Sequence, residues 1–318
     1  MRKGRVVKRA NEGRAFEESL GEERERLDRL IGDLFPETPA PGDREGRKRY
    51  SMTAGGKRLR PILCLFSYRA AGGEEGSIYP FALLWEVLHA FSLVHDDLPI
   101  MDDDAYRRGK PTLHTLYGEK AALLTGIEFL CWAFERFLEL VGEYGVSHQQ
   151  ARRLLEILAE SAGFQGMVAG QMMDLFWEGK AGQDIPVEKI HELKTARMMQ
   201  GAVATGAVMA GAGERELDAF REYGLHLGLA YQIADDLLDR RSDFRSMGKR
   251  TGRDEELRKA TFPSLYGEAV SERRLKEEID LAADAVGRVG EAAPGLSAIL
   301  AYTLNRGIRG GASEGADN

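Results

Sequence analysis

The hydrophobic positions of this chain recur at the three- and four-residue spacing of α-helices. The pattern is clearest in residues 81–91 and 123–140, and no stretch alternates for long between apolar and polar positions as a half-buried strand does. Further helices are predicted over residues 149–173, 187–210, 214–239 and 271–289. Small residues dominate positions 201–213, which would let buried helices approach closely. The pattern therefore predicts an all-α helical bundle.

Both ends of the chain depart from this pattern. Residues 1–42 are dominated by charge, and the prolines between positions 36 and 41 would break any helix that crossed them. This segment is predicted to be a charged, partly flexible arm or a lone helix. Residues 43–308 are predicted to form a single domain, and residues 309–318 a disordered tail.

The composition is that of a soluble globular protein and argues against some functions. Of 318 residues, 43% are hydrophobic and 30% are charged. The formal net charge of -7 disfavours broad nucleic-acid binding, while small anionic ligands remain compatible with local basic clusters. The longest uncharged run, residues 198–213, is shorter than the about 20 residues that span a bilayer. The basic N-terminal segment leads into polar residues, unlike a secretory signal.

The cysteines indicate a reducing compartment. The chain has two, Cys64 and Cys131, each within an apolar run. Two cysteines do not make a disulfide framework, and both thiols are predicted to be buried. The protein is therefore predicted to be cytoplasmic, without a transmembrane segment.

The first chemically informative motif is Asp235-Asp236-Leu237-Leu238-Asp239. Its outer carboxylates are four residues apart, so on a helix they lie on one face, one turn from each other. Such a pair repels unless a cation lies between them, and Mg²⁺ typically takes one or two carboxylates and completes its shell with water and phosphate. A solvated acidic helix end is the alternative. The nearly uncharged residues 225–234 before the motif favour metal binding.

A second aspartate motif occurs earlier, in Asp96-Asp97-Leu98-Pro99-Ile100-Met101-Asp102. Asp96 and Asp102 are six residues apart and would lie on different sides of a regular helix. Pro99 removes a backbone donor between them, so a local bulge or a helix end must bring the two carboxylates together. Zinc is a poor alternative because its usual Cys and His spacings are missing.

Basic residues occur in small groups that could hold phosphate. These groups are Lys57 and Arg60 in Gly-Gly-Lys-Arg-Leu-Arg-Pro, Arg107 with Arg108, and the later Lys194, Lys249 and Lys259. Each group alone would be typical of charged residues on a protein surface. Combined with acidic motifs that emerge from apolar helices, they make up the residue set of a metal-bridged diphosphate site.

The series of motifs resembles the short-chain trans-polyprenyl diphosphate synthases of the bacterial farnesyl diphosphate synthase type. The resemblance spans residues 55–263 and weakens beyond them. Besides the aspartate motifs and Gly-Gly-Lys-Arg-Leu-Arg-Pro, it is carried by Arg107-Arg108-Gly109, Gly170-Gln171, Lys194-Thr195, Gln232, Gly248-Lys249 and Lys259-Ala260-Thr261-Phe262-Pro263. It implies an isoprenoid synthase bundle around a deep central cavity, with residues 43–308 as the catalytic domain, and a homodimer.

The resemblance also implies a reaction. A prenyltransferase of this kind condenses isopentenyl diphosphate with an allylic diphosphate, dimethylallyl or geranyl, with three Mg²⁺ ions per active site. The implied metal ligands are Asp96, Asp102, Asp235 and Asp239. The implied catalytic residues are Asp96, Asp97, Asp102, Lys194, Asp235 and Asp236.

Substrate-binding residues follow from the same motif positions. Lys57, Arg60, His89 and Arg108 match positions that hold isopentenyl diphosphate. Arg107, Lys194, Thr195, Gln232, Lys249 and Lys259 match positions around the allylic diphosphate. For His89 the resemblance carries the prediction, because a lone histidine on an apolar helix is usually a core residue.

Product length is predicted from the residues before the first motif. The resemblance implies that the residue five positions before the first aspartate lies on the cavity wall, and here that residue is Phe91, followed by Ser92. A bulky ring there should form the floor of the cavity, which predicts a C15 product, farnesyl diphosphate, with C20 geranylgeranyl diphosphate as the alternative. Plain core packing would also explain Phe91.

Two other functions are compatible with a helical bundle that carries an aspartate motif. A terpene cyclase usually mixes Asn, Ser or Thr and Glu in its second metal motif, which the sequence at 235–239 does not match. A non-catalytic subunit of a heteromeric synthase should have lost metal or diphosphate residues, and all are present here.

Overall fold

The computed structural model describes residues 19–38, 40, 42–74, 76–180, 184–241, 259–290 and 293–309. The predicted site residue Lys249 lies outside this part of the chain, as do most of the predicted tail and the first part of the predicted arm.

Helices dominate the described residues, which confirms the predicted all-α fold. In chain order the helices are α1 (19–34), α2 (Arg44–Met52), α3 (Leu59–Ala70), α4 (Ile78–Asp96), α5 (Leu113–Tyr117), α6 (Glu119–Glu143), α7 (His148–Ala162), α8 (Met167–Trp177), α9 (Val187–His191), α10 (Arg197–Met209), α11 (Glu214–Arg241), α12 (Phe262–Tyr266), α13 (Glu268–Gly287) and α14 (Pro294–Arg309). One π-helical turn, Glu192–Ala196, joins α9 to α10. Two short antiparallel strands, β1 (Tyr106–Arg107) and β2 (Lys110–Pro111), follow α4.

Most predicted helices match these elements, with one exception. The predicted helix over 149–173 is wrong, because the chain breaks between α7 and α8. The break falls on Gly163-Phe164-Gln165-Gly166, where two glycines lower helix propensity. Gly163 has extended backbone there and ends α7.

Part of the predicted N-terminal arm packs against the body of the protein. Helix α1 precedes the prolines, and Leu27, Ile31 and Phe35 are buried in the core. Their spacing of four residues places them on one face of the helix. Residues 19–35 are therefore part of the packed structure, and the division into arm, domain and tail otherwise stays a prediction.

Helices α3, α4 and α10 pack against one another inside the bundle. Helix α4 is buried on nearly all sides, with Trp85 fully buried. Within the described residues it is the helix whose length and composition would let it cross a membrane, but 72% of that stretch is buried inside the fold. Small residues let α10 approach closely, since a Cβ on Gly206 would lie 2.1 Å from the carbonyl oxygen of Cys64 on α3. The predicted role of the small-residue run is confirmed.

The two cysteines differ in environment. Cys64 is buried as predicted, but the prediction for Cys131 is wrong, because this thiol is exposed. Cys131 lies on α6 seven residues after Leu124 and seven before Leu138, and both leucines are exposed. The helical period therefore places Cys131 on the outer face of α6 despite its apolar neighbours.

Candidate active site

The first aspartate motif lies where α4 ends and the chain folds back. Helix α4 ends at Asp96, and the turn of residues 97–101 then reverses the chain. The backbone amide of Asp102 donates to the carbonyl of Asp96 at 2.9 Å, and that of Asp103 donates to Leu98 at 3.1 Å. The helix end thus provides the predicted bend that brings Asp96 and Asp102 together.

The aspartates of this motif have different surroundings. Asp97 is buried and accepts a hydrogen bond from Nε of Arg107 at 2.5 Å. Asp102 is half-buried and accepts one from Nζ of Lys259 at 2.6 Å. Asp96 is also half-buried. The carboxylate of Asp97 is therefore the most buried of the three.

Lys194 lies on the π-turn and interacts electrostatically with the aspartates of the first motif. Its Nζ donates to Oδ2 of Asp174 at 2.6 Å. Burial alone would lower the pKa of Lys194, but the carboxylates of Asp174, Asp96 and Asp102 raise it above its usual value. Burial raises the pKa of Asp96, and the Lys194 ammonium opposes that shift. Asp96, Asp102, Lys194 and Lys259 are called the first-motif cluster below.

The second aspartate motif lies on α11. Asp235 accepts a hydrogen bond from Nε of Arg306, on the C-terminal helix α14, at 3.1 Å. Asp239 lies one turn further along and is half-buried. Asp236 is 5% exposed and accepts a hydrogen bond from the backbone amide of Phe262 at 3.1 Å. In both motifs, therefore, the second aspartate is bound by protein groups.

A short segment after α11 connects the two motifs. Asp236 binds the amide of Phe262, and the side chain of Thr261 caps α12 at this point. Three residues before Phe262, Lys259 contacts Asp102 of the first motif. Asp236 of the second motif thus positions the cation that meets Asp102 of the first.

A second connection runs from the π-turn to α11. The hydroxyl of Thr195 donates to Oε1 of Gln232 at 2.7 Å, and Nε2 of Gln232 donates to Asp236 at 3.0 Å. Thr195 directly follows Lys194, so one turn carries both a cation that interacts electrostatically with Asp96 and Asp102 and a hydroxyl linked through Gln232 to Asp236. The structure therefore brings together residues that lie far apart in sequence.

Replacing Asp236 by alanine is expected to release the segment that carries Lys259. The change removes a hydrogen bond to a buried carboxylate, a loss of about 1.5–3 kcal/mol. Exchange of the Phe262 amide should then rise roughly 10- to 100-fold in hydrogen-exchange mass spectrometry. Asp218→Ala, at a position on the same helix whose side chain is 67% exposed, is the control and should leave that amide unchanged. Equal protection in both variants would contradict the positioning role.

Arg60 lies close enough to the second motif to interact with Asp235, and His89 lies among Arg60, Arg107 and Arg108. Burial lowers the pKa of Arg60, while the Glu86, Tyr231 and Asp235 side chains oppose the shift. Burial, followed by the Arg60 and Arg108 guanidinium groups, lowers the pKa of His89 well below its ordinary value. His89 is therefore a neutral imidazole among cations, able to donate one hydrogen bond to an anion.

Two further cations lie at the loop before α3, one that contacts the loop and one that belongs to it. The guanidinium of Arg108 donates to the carbonyl of Gly55. Two residues later in the same loop, the ammonium of Lys57 lies 5.7 Å from the ring of Tyr302 on α14. Arg108 and Lys57 thus come from different segments of the chain, and both lie at or next to the loop before α3.

The residues predicted to set product length lie on two faces of α4. The ring of Phe91 packs edge-on against His95, with centroids 4.9 Å apart. Ser92 lies one turn before Asp96, and its hydroxyl donates to the carbonyl of His89 at 2.9 Å. Helical spacing therefore places Ser92, rather than Phe91, on the face of Asp96.

Three residues of the site were not predicted from the sequence. Asp174 pairs with Lys194 and lies three residues after the Gly170-Gln171 motif, so its spacing on the same helix face was a usable signal. Gln171 belongs to that motif, but no role was predicted for it. Arg306 lies in a helix without any recognisable motif, so nothing in the sequence indicated its contact with Asp235.

The donor set suits Mg²⁺ better than zinc. Among the described residues, no group of three or more His, Cys, Asp or Glu side chains converges as a complete metal cage. A Mg²⁺ ion bound by only one or two carboxylates keeps coordination positions for water and phosphate. Nε of Arg60 and the amide of Gln171 are buried and have no hydrogen-bond partner within the part of the chain that the structure describes. Such atoms are ones that a polar ligand would satisfy.

An all-helical protein with two connected aspartate motifs, each beside phosphate-binding cations, has the features of a metal-dependent enzyme that handles diphosphates. Comparison with known proteins gives the same class. The family model for polyprenyl synthetases matches residues 47–293. The chain therefore belongs to the polyprenyl synthetase family, and it is a prenyltransferase.

Individual relatives cover most of the chain. It is 39% identical to a farnesyl diphosphate synthase of Geobacillus stearothermophilus, over 84% of this chain and 90% of that protein. It is 40% identical to a geranylgeranyl diphosphate synthase of Cyanophora paradoxa, over 81% and 86%. A geranyltransferase of Helicobacter pylori, crystallised with magnesium and isoprenyl diphosphate, is 29% identical and superposes with a TM-score of 0.78, over 92% and 97%.

These comparisons confirm the resemblance, the isoprenoid-synthase fold and the reaction class predicted from the sequence. Because the relatives include both C15 and C20 synthases, product length stays a prediction.

Proposed function

We propose that this prenyltransferase condenses isopentenyl diphosphate with dimethylallyl or geranyl diphosphate in the presence of Mg²⁺, and that its main product is farnesyl diphosphate. The observation that carries the proposal is the segment that joins the motifs, in which Asp236 holds Phe262 and Lys259 meets Asp102. Through it, carboxylates from both motifs and the ammonium of Lys259 would belong to one site.

The first-motif cluster and Asp235 would hold the allylic diphosphate. Mg²⁺ bound by Asp96, Asp102, Asp235 and Asp239, in a proposed number of three, would neutralise the diphosphate and make it a better leaving group. Lys194, Lys259 and Arg107 add fixed positive charge where negative charge accumulates as the allylic C–O bond breaks.

Isopentenyl diphosphate would bind at the basic end of the site. Lys57, Arg60 and Arg108 supply charge, and neutral His89 supplies one N–H donor. The double bond of this substrate attacks the allylic cation, and a proton is then lost to the released diphosphate. The apolar helices around the site exclude water that would otherwise trap the cation. This sequence of steps needs no covalent nucleophile from a side chain.

An elongation assay tests the proposed reaction. Purified protein would be incubated with radiolabelled isopentenyl diphosphate and dimethylallyl, geranyl or farnesyl diphosphate, with Mg²⁺ or with EDTA. We expect labelled prenyl product from the first two primers and its loss with EDTA. No elongation from any primer would overturn the proposal, and elongation in EDTA would overturn its metal requirement.

Product length is expected to respond to Phe91 and Ser92. If the Phe91 ring bounds the cavity, Phe91→Ala should shift the main product from C15 to C20 or longer. Ser92→Phe adds a ring on the face of Asp96 and should shift it toward C10. Chromatography of the dephosphorylated products measures both shifts. Unchanged length in the Phe91 variant would assign this ring to core packing, and a C20 product from the wild-type protein would favour the alternative.

We also propose that the protein is a cytoplasmic homodimer. On the outer face of α6, Leu124, Ile127 and Leu138 are 56%, 43% and 64% exposed in the single chain. Exposed apolar residues on one helix face are typical of an interface with a second copy. Light scattering coupled to gel filtration should give twice the mass of one chain, and Leu124→Glu should give the monomer mass. A monomeric wild-type protein would contradict the proposal.

A further inference from the structure

A cavity of about 360 Å³ lies between α7, α10 and α11, apart from the described residues of the aspartate motifs. The loop between α7 and α8 contributes Phe164, which is 80% exposed. The π-turn contributes Leu193, and α10 contributes Arg197 and Ala204. The volume is within the range of small-molecule sites.

The polar part of the lining is mainly cationic. Lys189, Arg197 and Arg221 line the cavity together with one carboxylate, that of Glu160. Glu192 accepts hydrogen bonds from Lys189 at 2.9 Å and from Arg197 at 2.6 Å, so two cations share one carboxylate. Nε of Arg197 is buried, and it has no hydrogen-bond partner in the described ranges. This wall suits the head of a small anion.

The rest of the lining is apolar. Ile157, Leu193 and Ala204 are buried, and Phe164 stands beside them. Apolar walls with one cationic side suit a ligand that has a charged head and a short hydrocarbon tail.

The cavity shares two elements with the active site. In the π-turn, Leu193 lines the cavity while its neighbour Lys194 pairs with Asp174. A Cβ on Gly170 would lie 2.2 Å from the backbone nitrogen of Lys194, so α8 touches the π-turn directly. The loop that leads into α8 carries Phe164. Elements on both sides of the Lys194–Asp174 pair thus border the cavity, and π-turns often occur at functional sites.

We propose that this cavity binds an alkyl or prenyl phosphate, with the phosphate on Arg197 and Lys189 and the tail against Ile157 and Leu193. Its occupancy changes the binding of the allylic substrate by moving the π-turn that carries Lys194. The coupling rests on the proposed function, whereas binding at the cavity does not.

Calorimetry with n-hexyl phosphate in EDTA tests the binding step without catalysis, because a saturated alkyl phosphate cannot ionise as an allylic one does. We expect one site per chain and an affinity that Arg197→Gln lowers roughly 10- to 100-fold, as for a lost charge-assisted contact. Lys189→Gln is the second variant, for the case that Arg197→Gln does not fold. Full affinity in the folded variants would overturn the proposal.

Two control variants establish where the ligand binds, and a second ligand tests whether the hydrocarbon tail contributes to binding. Arg152→Gln, on the exposed side of α7, is the matched control and should bind hexyl phosphate as the wild type does. Arg60→Gln should also keep this affinity, and its loss there would place the ligand in the diphosphate site and overturn the proposal. Inorganic phosphate should bind much more weakly, and equal affinity would overturn the amphiphilic assignment.

The coupling is tested by kinetics. Hexyl phosphate is expected to raise the KM for geranyl diphosphate in the wild type and not in Arg197→Gln. An equal rise in both would indicate competition at the active site and would contradict the coupling.

Discussion

Replacing Asp96 by asparagine is expected to lower kcat roughly 10²- to 10³-fold, as the loss of one positioned electrostatic group typically does. Asparagine has nearly the same shape, so the end of α4 and its contact with Asp102 should survive. The amide lacks the negative charge that a magnesium ion requires. Steady-state kinetics with isopentenyl and geranyl diphosphate at saturating Mg²⁺ would measure the loss, with circular dichroism to confirm folding.

Asp103→Asn is the matched control for this substitution. Asp103 is exposed and directly follows the motif. Its backbone has a φ of 49°, a left-handed conformation that asparagine adopts readily. This variant should keep near wild-type kcat. A similar loss in both variants, or none in Asp96→Asn, would contradict the metal role of Asp96.

Replacing Glu86 by glutamine is expected to destabilise the protein by about 3–5 kcal/mol, the usual cost of removing one partner from a buried ion pair. Glu86 accepts a hydrogen bond from Arg58 at 2.6 Å, and their side chains are 5% and 2% exposed. Arg58 also donates to Asp28 of α1 and to the carbonyl of Met52, at 2.8 Å each. Without Glu86 the guanidinium would keep a buried charge with less compensation. Thermal unfolding followed by circular dichroism would measure the change.

Two variants check this interpretation of Glu86. Glu143→Gln breaks a surface pair with Arg136 on α6 and should leave the unfolding temperature unchanged. The double variant Arg58→Met with Glu86→Leu removes both charges and should be more stable than Glu86→Gln. If Glu86→Gln unfolded at the same temperature as Glu143→Gln, the pair would not contribute as described.

The fold was predictable because each helix shows helical spacing of apolar residues within its own sequence. Helical spacing located α4, α6 and α11, and the need for a bend between Asp96 and Asp102 followed from a six-residue spacing and Pro99. The break between α7 and α8 was missed because apolar periodicity continues across it, while the glycines at its ends decide the local conformation.

The orientation of individual carboxylates was not predictable. Asp97 and Asp236 look like their neighbours in the sequence, yet one is held by Arg107 and the other by the amide of Phe262. Both partners come from other segments of the chain, so only the folded structure defines them. Asp97 and Asp236 are buried, whereas the other four motif aspartates are half-buried. We therefore interpret the buried pair as positioning residues and propose that Asp96, Asp102, Asp235 and Asp239 face the ligand.

Arg306 is the clearest case of a contact without a sequence signal. Its guanidinium reaches Asp235 from the last described helix, 71 residues further along the chain. Long-range pairs of this kind depend on how α14 packs against α11. Local sequence patterns do not predict that packing.

A crystal structure with Mg²⁺, isopentenyl diphosphate and a non-ionisable thio-analogue of geranyl diphosphate would test most directly whether the two aspartate motifs form one diphosphate site. We expect one diphosphate to lie between the motifs, with metal ions that contact Asp96 and Asp102 on one side and Asp235 on the other. Lys194 and Lys259 should contact the same diphosphate. A diphosphate bound to a single motif, with the other motif free of metal, would contradict this account.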